Sequence, residues 1–123
     1  NTRPIRVLKL WGEIFSRLKM NRYGMAVTVF TEKDIEEFGI GDSFEGVSNF
    51  LNNLSGVRAV LVLREEAGGR VRGSFRTSRH DMDVSRIARF FGGGGHKKAA
   101  GFSIPGRLVK DEKGEWRIMN NRQ

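Results

Sequence analysis

The first apolar positions of the chain repeat with the spacing of a helix. Leu8, Trp11, Phe15 and Leu18 recur three or four residues apart. This spacing predicts an amphipathic helix of about four turns that ends near Asn21.

The next segments alternate between β-rich runs and helical patterns. Residues 25–30 (MAVTVF) predict a short buried strand. Thr31, followed by acidic residues, predicts the N-cap of a short helix that stops near Gly39. Apolar residues at 47, 50, 51 and 54 then have helical spacing and predict a further helix.

The middle of the chain has the pattern of a β-hairpin. Residues 59–63 (AVLVL) are the strongest candidate for a buried strand, and apolar and polar residues alternate over residues 71–76. Residues 67–69 (AGG) supply a turn between them. The pattern therefore predicts two antiparallel strands, the second with one polar face.

The remaining elements complete an α/β order. Asp83 is expected to cap a helix, a short helix is expected over residues 96–100, and a strand over residues 102–104. Residues 108–119 are interpreted as a second hairpin. The order α, β, α, α, β, β, α, α, β predicts an α/β fold, a single small domain with a mixed β-sheet flanked by helices.

Composition narrows the class of protein. With 123 residues, 38% of them hydrophobic, and 16 glycines, the chain has the size and composition of one folded domain. It contains no cysteine, which excludes disulfides, thiolate zinc sites and a cysteine nucleophile. Without an apolar run of membrane-spanning length or a signal-peptide pattern, a cytoplasmic location is expected.

The charge of the chain indicates an anionic partner. The formal net charge is +8, and residues 57–98 carry ten basic against four acidic side chains. Nucleic acid or another phosphate compound is the simplest partner for such a balance. A surface that is merely basic and solvated is the alternative.

Four consecutive glycines, residues 92–95, are followed directly by His96. Such a run is entropically costly, so a structural or binding role has to require it. We expect its backbone N–H groups to form an anion site where the loop enters a helix N-terminus, with His96 as a donor to phosphate. A flexible tether is the alternative.

A second candidate for phosphate binding lies on the predicted polar strand. Ser74, Arg76 and Ser78 share one face if the strand alternates, and the planar guanidinium of arginine suits phosphate oxygens. A solvated strand face is again the alternative. His80, Asp81 and Asp83 are too close in sequence to be expected as metal ligands.

These segments together resemble a known family. Residues 92–102 (GGGGHKKAAGF), 83–91 (DVSRIARFF) and 74–78 (SFRTS) resemble the DHH-associated C-terminal domain of DHH-family phosphoesterases. Within that family, the nano-RNase and RecJ-like group is the most similar. Residues 8–19 resemble the helix that leads into this domain in such proteins, and the resemblance extends from about residue 8 to residue 104.

The resemblance implies that catalysis and substrate binding are carried out by two different domains. Residues 1–22 would be the linker helix from an N-terminal catalytic domain missing from this chain, and residues 23–123 the substrate-binding domain. The family's two manganese ions lie in the catalytic domain, so this chain is expected to hold no cofactor and to be non-catalytic by itself. Family substrates include short oligonucleotides, single-stranded DNA, phosphoadenosine phosphate and cyclic dinucleotides, and all of these stay open.

The resemblance also implies roles for particular residues. The family's arginine after Ser-Phe grips a substrate phosphate, and its glycine loop and histidine contact the terminal nucleotide or its phosphate. The implied phosphate-binding residues are Arg76, Ser78, Gly93, Gly94, Gly95 and His96.

Three hypotheses follow for the function. We favour the substrate-binding domain of a manganese-dependent exonuclease or related phosphoesterase that hydrolyses phosphodiester or phosphomonoester bonds. The alternative is a free-standing nucleic-acid-binding module without a catalytic partner. A third hypothesis is an autonomous hydrolase that uses His96 with His80 and Asp81.

The tail after Ile104 differs from the short helical ending that the resemblance to the family predicts.

Overall fold

The computed structural model describes residues 4–39 and 41–121, which form four helices and eight strands. The helices are α1 (Ile5–Ser16), α2 (Glu32–Phe38), α3 (Ser43–Leu51) and α4 (Val84–Phe90). The strands are β1 (Lys19–Met20), β2 (Met25–Phe30), β3 (Ala59–Glu66), β4 (Arg70–Arg76), β5 (Gly94–His96), β6 (Ala99–Pro105), β7 (Arg107–Lys110) and β8 (Trp116–Met119).

Six strands form one mixed sheet in the order β1-β2-β3-β4-β6-β5. The pair β2–β3 is parallel, and the other neighbours in this sheet are antiparallel. Strands β7 and β8 form a separate antiparallel hairpin. The predicted α/β fold with a mixed sheet is confirmed, and so is the hairpin in the tail.

Helices α1, α2 and α3 cover one face of the sheet, which we call the first face. Because side chains alternate along a strand, Val60 and Val62 of β3 point to this face and Ala59 and Leu63 to the other. A hydrophobic core fills the space between α1, α3 and strands β2 and β3. Its buried members are Leu10, Ile14, Ala26, Phe30, Val47, Leu51, Val60 and Val62.

Helix α4 and the β7–β8 hairpin cover the opposite, second face. Val84 and Ala88 of α4 pack there against Phe75 and Phe102 from β4 and β6. Gly73 lies opposite Phe102 in the ladder, and a Cβ at this position would come within 2.2 Å of the Phe102 ring. The missing side chain at Gly73 therefore gives the Phe102 ring its place in the core.

An ion pair links the C-terminal end of α1 to the first turn of α2. Two guanidinium nitrogens of Arg17 donate to the two carboxylate oxygens of Asp34 at 2.6 and 2.9 Å, and Asp34 also completes a capping box with Thr31. Burial alone would raise the pKa of Asp34, but hydrogen bonds from Arg17 and Thr31 outweigh burial and lower it below its ordinary value.

Two sequence predictions about helices are wrong. Helix α1 ends at Ser16 and is followed by β1, rather than continuing toward Asn21. Residues 96–100 form no helix, because they turn from β5 into β6. The packing of α1 also differs from the predicted stripe, since Leu10 and Ile14 are its buried residues and Leu8 is exposed.

The proposed division at residue 22 stays a prediction, but α1 is an integral part of the fold described here. Leu10 and Ile14 have no exposure to solvent and belong to the first-face core. In the described part of the chain, no helix combines the length and apolar character that crossing a bilayer requires.

Replacing Asp34 by asparagine is expected to destabilise the fold by about 2 kcal/mol. This is below the roughly 3–5 kcal/mol seen when a fully buried pair loses one partner, because Arg17 keeps some contact with water. Urea denaturation measures the change. Glu13→Gln is the control, since Glu13 also lies near Arg17 but is exposed, and it is expected to cost less than about 0.5 kcal/mol. If both variants lost the same free energy of unfolding, the stabilising role assigned to the Arg17–Asp34 ion pair would be contradicted.

The contribution of Asp34 to stability is expected to depend on pH. Its pKa is lower in the folded chain than in the unfolded one, so its stabilisation is complete above the unfolded pKa. The stabilisation is lost as the pH falls through the folded pKa. The stability difference between the unmodified chain and Asp34→Asn should therefore shrink on acidification, and a constant difference from neutral pH to pH 2 would refute this.

Candidate phosphate-binding cleft

The helices cover the first face mainly over β2 and β3, and α3 reaches only part of β4. A cleft opens beyond the edge of α3. It has a volume of about 500 Å³ and lies over β4, β6 and β5. Its side-chain lining includes Glu45, Arg64, Arg72, Ser74 and Arg76, and its floor is made by Gly94, Gly95, Ala99 and Gly101. The cleft therefore combines three guanidinium groups with a stretch of nearly bare backbone.

Arg76, the last residue of β4, is held in place by its own strand. One guanidinium nitrogen donates to the Ser74 hydroxyl at 2.9 Å and to the Phe75 carbonyl at 3.2 Å. The other terminal nitrogen donates to Glu45 of α3 at 3.3 Å. The Arg76 side chain is 19% exposed and that of Glu45 is 69% exposed, so the pair lies at the edge of solvent.

Two more arginines lie at the other end of the cleft. Arg64 and Arg72 are direct partners across the β3–β4 ladder. The carboxylate of Glu66 accepts from Arg64 at 3.1 Å and from Arg72 at 2.9 Å. Hydrogen bonding from Arg72 is the main reason that the pKa of Glu66 lies below its ordinary value. The Arg64 guanidinium also lies 4.9 Å from the centre of the Phe44 ring.

The first two glycines of the run end α4. The Gly92 and Gly93 N–H groups donate to the Arg89 and Ala88 carbonyls at 3.0 and 2.9 Å, which is a Schellman helix ending. Gly92 has the positive φ, +80°, that this ending requires. At Gly93, a Cβ would lie 2.0 Å from the Gly101 carbonyl oxygen, so only glycine allows β6 to come this close.

The last two glycines belong to edge strand β5. A Cβ at Gly94 would meet no atom within 4 Å, because this position opens into the cleft. Gly95 has a φ of +141°, and a Cβ there would lie 2.7 Å from the Ala100 Cα atom. Backbone conformation or close packing thus requires glycine at positions 92, 93 and 95, whereas the packing places no such requirement on position 94.

The glycines leave a helix C-terminus, whereas the sequence had indicated that they lead into a helix N-terminus. Lys97 and Lys98 form the two-residue turn between β5 and β6. The Thr77 N–H donates to the Lys98 carbonyl and the Val84 N–H to the Lys97 carbonyl, which fixes this turn against β4 and α4. The predicted helix N-terminus after the glycine run is therefore wrong.

The structure brings together some of the residues predicted for the site. Arg76, Gly94 and Gly95 line the cleft. His96 and Arg76 both pair with the β6 region at Ala99, so the register places them on the same face, about 10 Å apart between Cα atoms. His96 is exposed at the rim and does not line the cleft.

Two of the predicted residues lie elsewhere. Gly93 packs against the backbone of β6 instead of facing the cleft. Ser78 follows the end of β4, is exposed, and does not line the cleft. The expectation that Ser78 shares a strand face with Arg76 fails because β4 stops at Arg76.

Three lining residues, Glu45, Arg64 and Arg72, were not among the site residues predicted from the sequence. A signal for Arg72 was present, because it stands four residues before Arg76 on an alternating strand. If residue pairs are counted outward from the predicted turn at residues 67–69, Arg64 of the first strand lies opposite Arg72 of the second. Nothing in the local pattern indicates Glu45, which reaches the cleft from α3.

The cleft carries no donor set for a metal ion. Among residues 4–39 and 41–121, no group of three or more histidine, aspartate or glutamate side chains is close enough to hold one. Arg79 donates to both carboxylate oxygens of Asp81 and lowers its pKa to about 2. Asp83 caps α4 by accepting from the Ser85 N–H. Manganese does not fit the residues described here.

The fold and cleft define a small mixed α/β domain with one open face lined by arginine and glycine. The profile of the DHHA1 domain matches residues 24–115 of the chain. The chain therefore belongs to the DHHA1 family, the accessory domains of DHH phosphoesterases.

Two curated relatives have the same name, bifunctional oligoribonuclease and PAP phosphatase NrnA. The protein from Bacillus subtilis is 36% identical over 102 residues, which are 81% of this chain and 31% of the relative. The protein from Thermus thermophilus is 31% identical over 104 residues, 85% of this chain and 31% of the relative. The chain thus spans about a third of the length of these relatives.

Solved structures show the same fold. An exopolyphosphatase-related protein from Bacteroides fragilis superposes with a TM-score of 0.70 and 31% identity, over 83% of this chain and 30% of that one. A pGpG-specific phosphodiesterase from Vibrio, PggH, has a TM-score of 0.53 and 14% identity, over 82% of this chain and 34% of its own. The second likeness concerns the fold alone.

Alanine substitutions at two adjacent glycines, Gly93 and Gly94, are expected to differ strongly in their effect on stability. Gly93→Ala should destabilise the chain by about 3 kcal/mol, because the new Cβ collides with backbone that cannot move without separating β5 from β6. Gly94→Ala should change stability by less than about 0.5 kcal/mol, because its Cβ meets only open space. Chemical denaturation of both variants measures this. A loss at Gly94→Ala as large as at Gly93→Ala would contradict the assigned roles.

Proposed function

We propose that this chain is the substrate-binding domain of a two-domain, manganese-dependent DHH phosphoesterase, and that its cleft holds a phosphate group of a nucleotide or short oligonucleotide. The observation that carries this proposal is the position of Arg76. Its guanidinium is fixed by Ser74 and faces the same cleft as the glycine strand β5.

The chemistry of the cleft suits a phosphate ester. The planar guanidinium of arginine matches two phosphate oxygens at once, and the hydrogen bonds so formed are strengthened by charge. The floor at Gly94 and Gly101 has no side chains, so a ligand can approach the backbone closely. His96 at the rim supplies a further nitrogen donor for the end of a ligand that extends past β5.

We infer that the Glu45 carboxylate lies beside Arg76 where a phosphate group would bind. Its carboxylate accepts from Arg76 through one hydrogen bond of 3.3 Å and is largely exposed. Ion pairs of this kind contribute little to stability, so a phosphate group displaces the carboxylate at small cost. The domain therefore keeps Arg76 oriented in the absence of substrate.

Hydrolysis needs groups that the described residues do not provide. We infer that they lie in a DHH catalytic domain of the same polypeptide, which supplies the manganese and the attacking water. The lengths of the NrnA relatives, about three times that of the matching region, support a second domain. Their name supports short RNA and PAP, a phosphorylated nucleotide, as substrates of the whole protein. In that assembly this domain binds and orients the phosphate for the reaction.

Arg76→Ala is expected to weaken binding of a 5′-phosphorylated triadenylate by about tenfold, because a charge-assisted hydrogen bond is worth roughly 1.5–3 kcal/mol. Isothermal titration of the 123-residue chain measures the affinity. Glu45→Gln should instead strengthen binding by about twofold to fivefold, because it removes the carboxylate that competes for Arg76.

Arg86→Gln is the control for the loss of one positive charge, since Arg86 is an exposed arginine on α4, which covers the second face. It is expected to change the affinity by less than twofold. If Arg76→Ala and Arg86→Gln lower the affinity equally, the cleft is not the binding site, and the effect is one of overall charge.

A further inference from the structure

The pairing of Arg64 with Arg72 is unfavourable for the fold by itself. Two like charges directly opposite each other on antiparallel strands destabilise a sheet. Glu66 offsets this repulsion by accepting from both guanidiniums at 3.1 and 2.9 Å. One carboxylate serves two cations, so the group of three keeps an excess positive charge.

This charged group faces the same cleft as Arg76 but at a distance from it. Arg72 and Arg76 are four residues apart on one strand, which places their Cα atoms about 13 Å apart. Ser74 lies between them on the same face, and the bare backbone of Gly101 runs alongside. The cleft thus has a cationic group at each end and an uncharged floor in between.

We propose that Arg64 and Arg72 form a second phosphate subsite, so that the cleft takes a single-stranded oligonucleotide with one phosphate at Arg76 and a later phosphate at this pair. The inference rests on the proposed function, because it assumes that Arg76 binds the first phosphate. A single phosphate group cannot span both ends. The subsite therefore makes the domain prefer a chain of nucleotides over a mononucleotide.

Each arginine in the pair retains donors for a ligand. A guanidinium has five N–H donors. The Glu66 carboxylate takes one nitrogen from each arginine, the Nη2 of Arg64 and the Nε of Arg72. The Arg72 side chain is 49% exposed and that of Arg64 is 28% exposed, so both are accessible from the cleft. Glu66 accordingly positions the two groups for an incoming phosphate.

The test compares two ligands of different length on the 123-residue chain. Adenosine 5′-monophosphate has one phosphate and 5′-phosphorylated triadenylate has three. Arg72→Gln and Arg64→Gln are each expected to weaken triadenylate binding by about tenfold and mononucleotide binding by less than twofold. Arg72→Lys should recover part of the loss, and Arg86→Gln should affect neither ligand. Thermal unfolding by circular dichroism verifies that each variant is folded.

The outcomes separate this inference from the proposed function. If Arg76→Ala weakens both ligands while Arg72→Gln and Arg64→Gln change neither, or weaken both equally, the second subsite is overturned and the proposed function stands. If Arg76→Ala leaves both ligands unaffected, or the unmodified chain binds neither of them, both proposals are overturned. Selective loss of triadenylate affinity in the Arg64 and Arg72 variants supports the subsite.

Discussion

The cleft depends on one constraint of chain connectivity, which leaves half of a sheet face without a helix. The parallel pair β2–β3 needs a crossover, and helices α2 and α3 provide it on the first face. The connection from β4 to β5 runs through α4, which packs on the second face. On the first face the crossover therefore reaches only part of β4, and no described helix packs over β6 and β5 there.

The residues on the first face change in character where the helices stop. On β3, Val60 and Val62 are buried under α1 and α3, and Arg64 follows in the same alternation. On β4 the same face carries Arg72, Ser74 and Arg76. An open apolar face of this size would be an association surface. Polar side chains and glycines make it compatible with solvent and give it the chemistry of an anion site.

The parts of the fold that follow from local pattern were predictable from the sequence. The hairpin β3–β4 and the Asp83 cap of α4 are determined by residues near each other in the chain. The secondary structure of residues 96–100 could not be predicted from local pattern, because Ala99 pairs with Arg76, which lies twenty-three residues earlier in the chain. Alanines and lysines favour a helix in isolation, and the tertiary pairing with β4 overrides that preference.

The same limit applies to the site. A glycine run has no side-chain pattern, so its sequence cannot distinguish a loop before a helix from the Schellman ending followed by the strand observed here. Arg76 was identifiable because its neighbours alternate. The grouping of Arg64 with Arg72 follows only from the register across the hairpin, and Glu45 comes from an element that is distant in sequence.

Two acidic side chains, Glu45 and Glu66, bond to the arginines of the cleft in different ways. Glu66 is 22% exposed and is bonded to two arginines, and its lowered pKa keeps it ionised in mildly acidic solution. Glu45 is 69% exposed and makes one long contact with Arg76. Removing a well-paired carboxylate costs far more than displacing an exposed one. In the proposed binding mode, a phosphate would replace Glu45 at Arg76 but would add to the existing bonds around Glu66, so the two ends of the cleft would receive phosphate by different means.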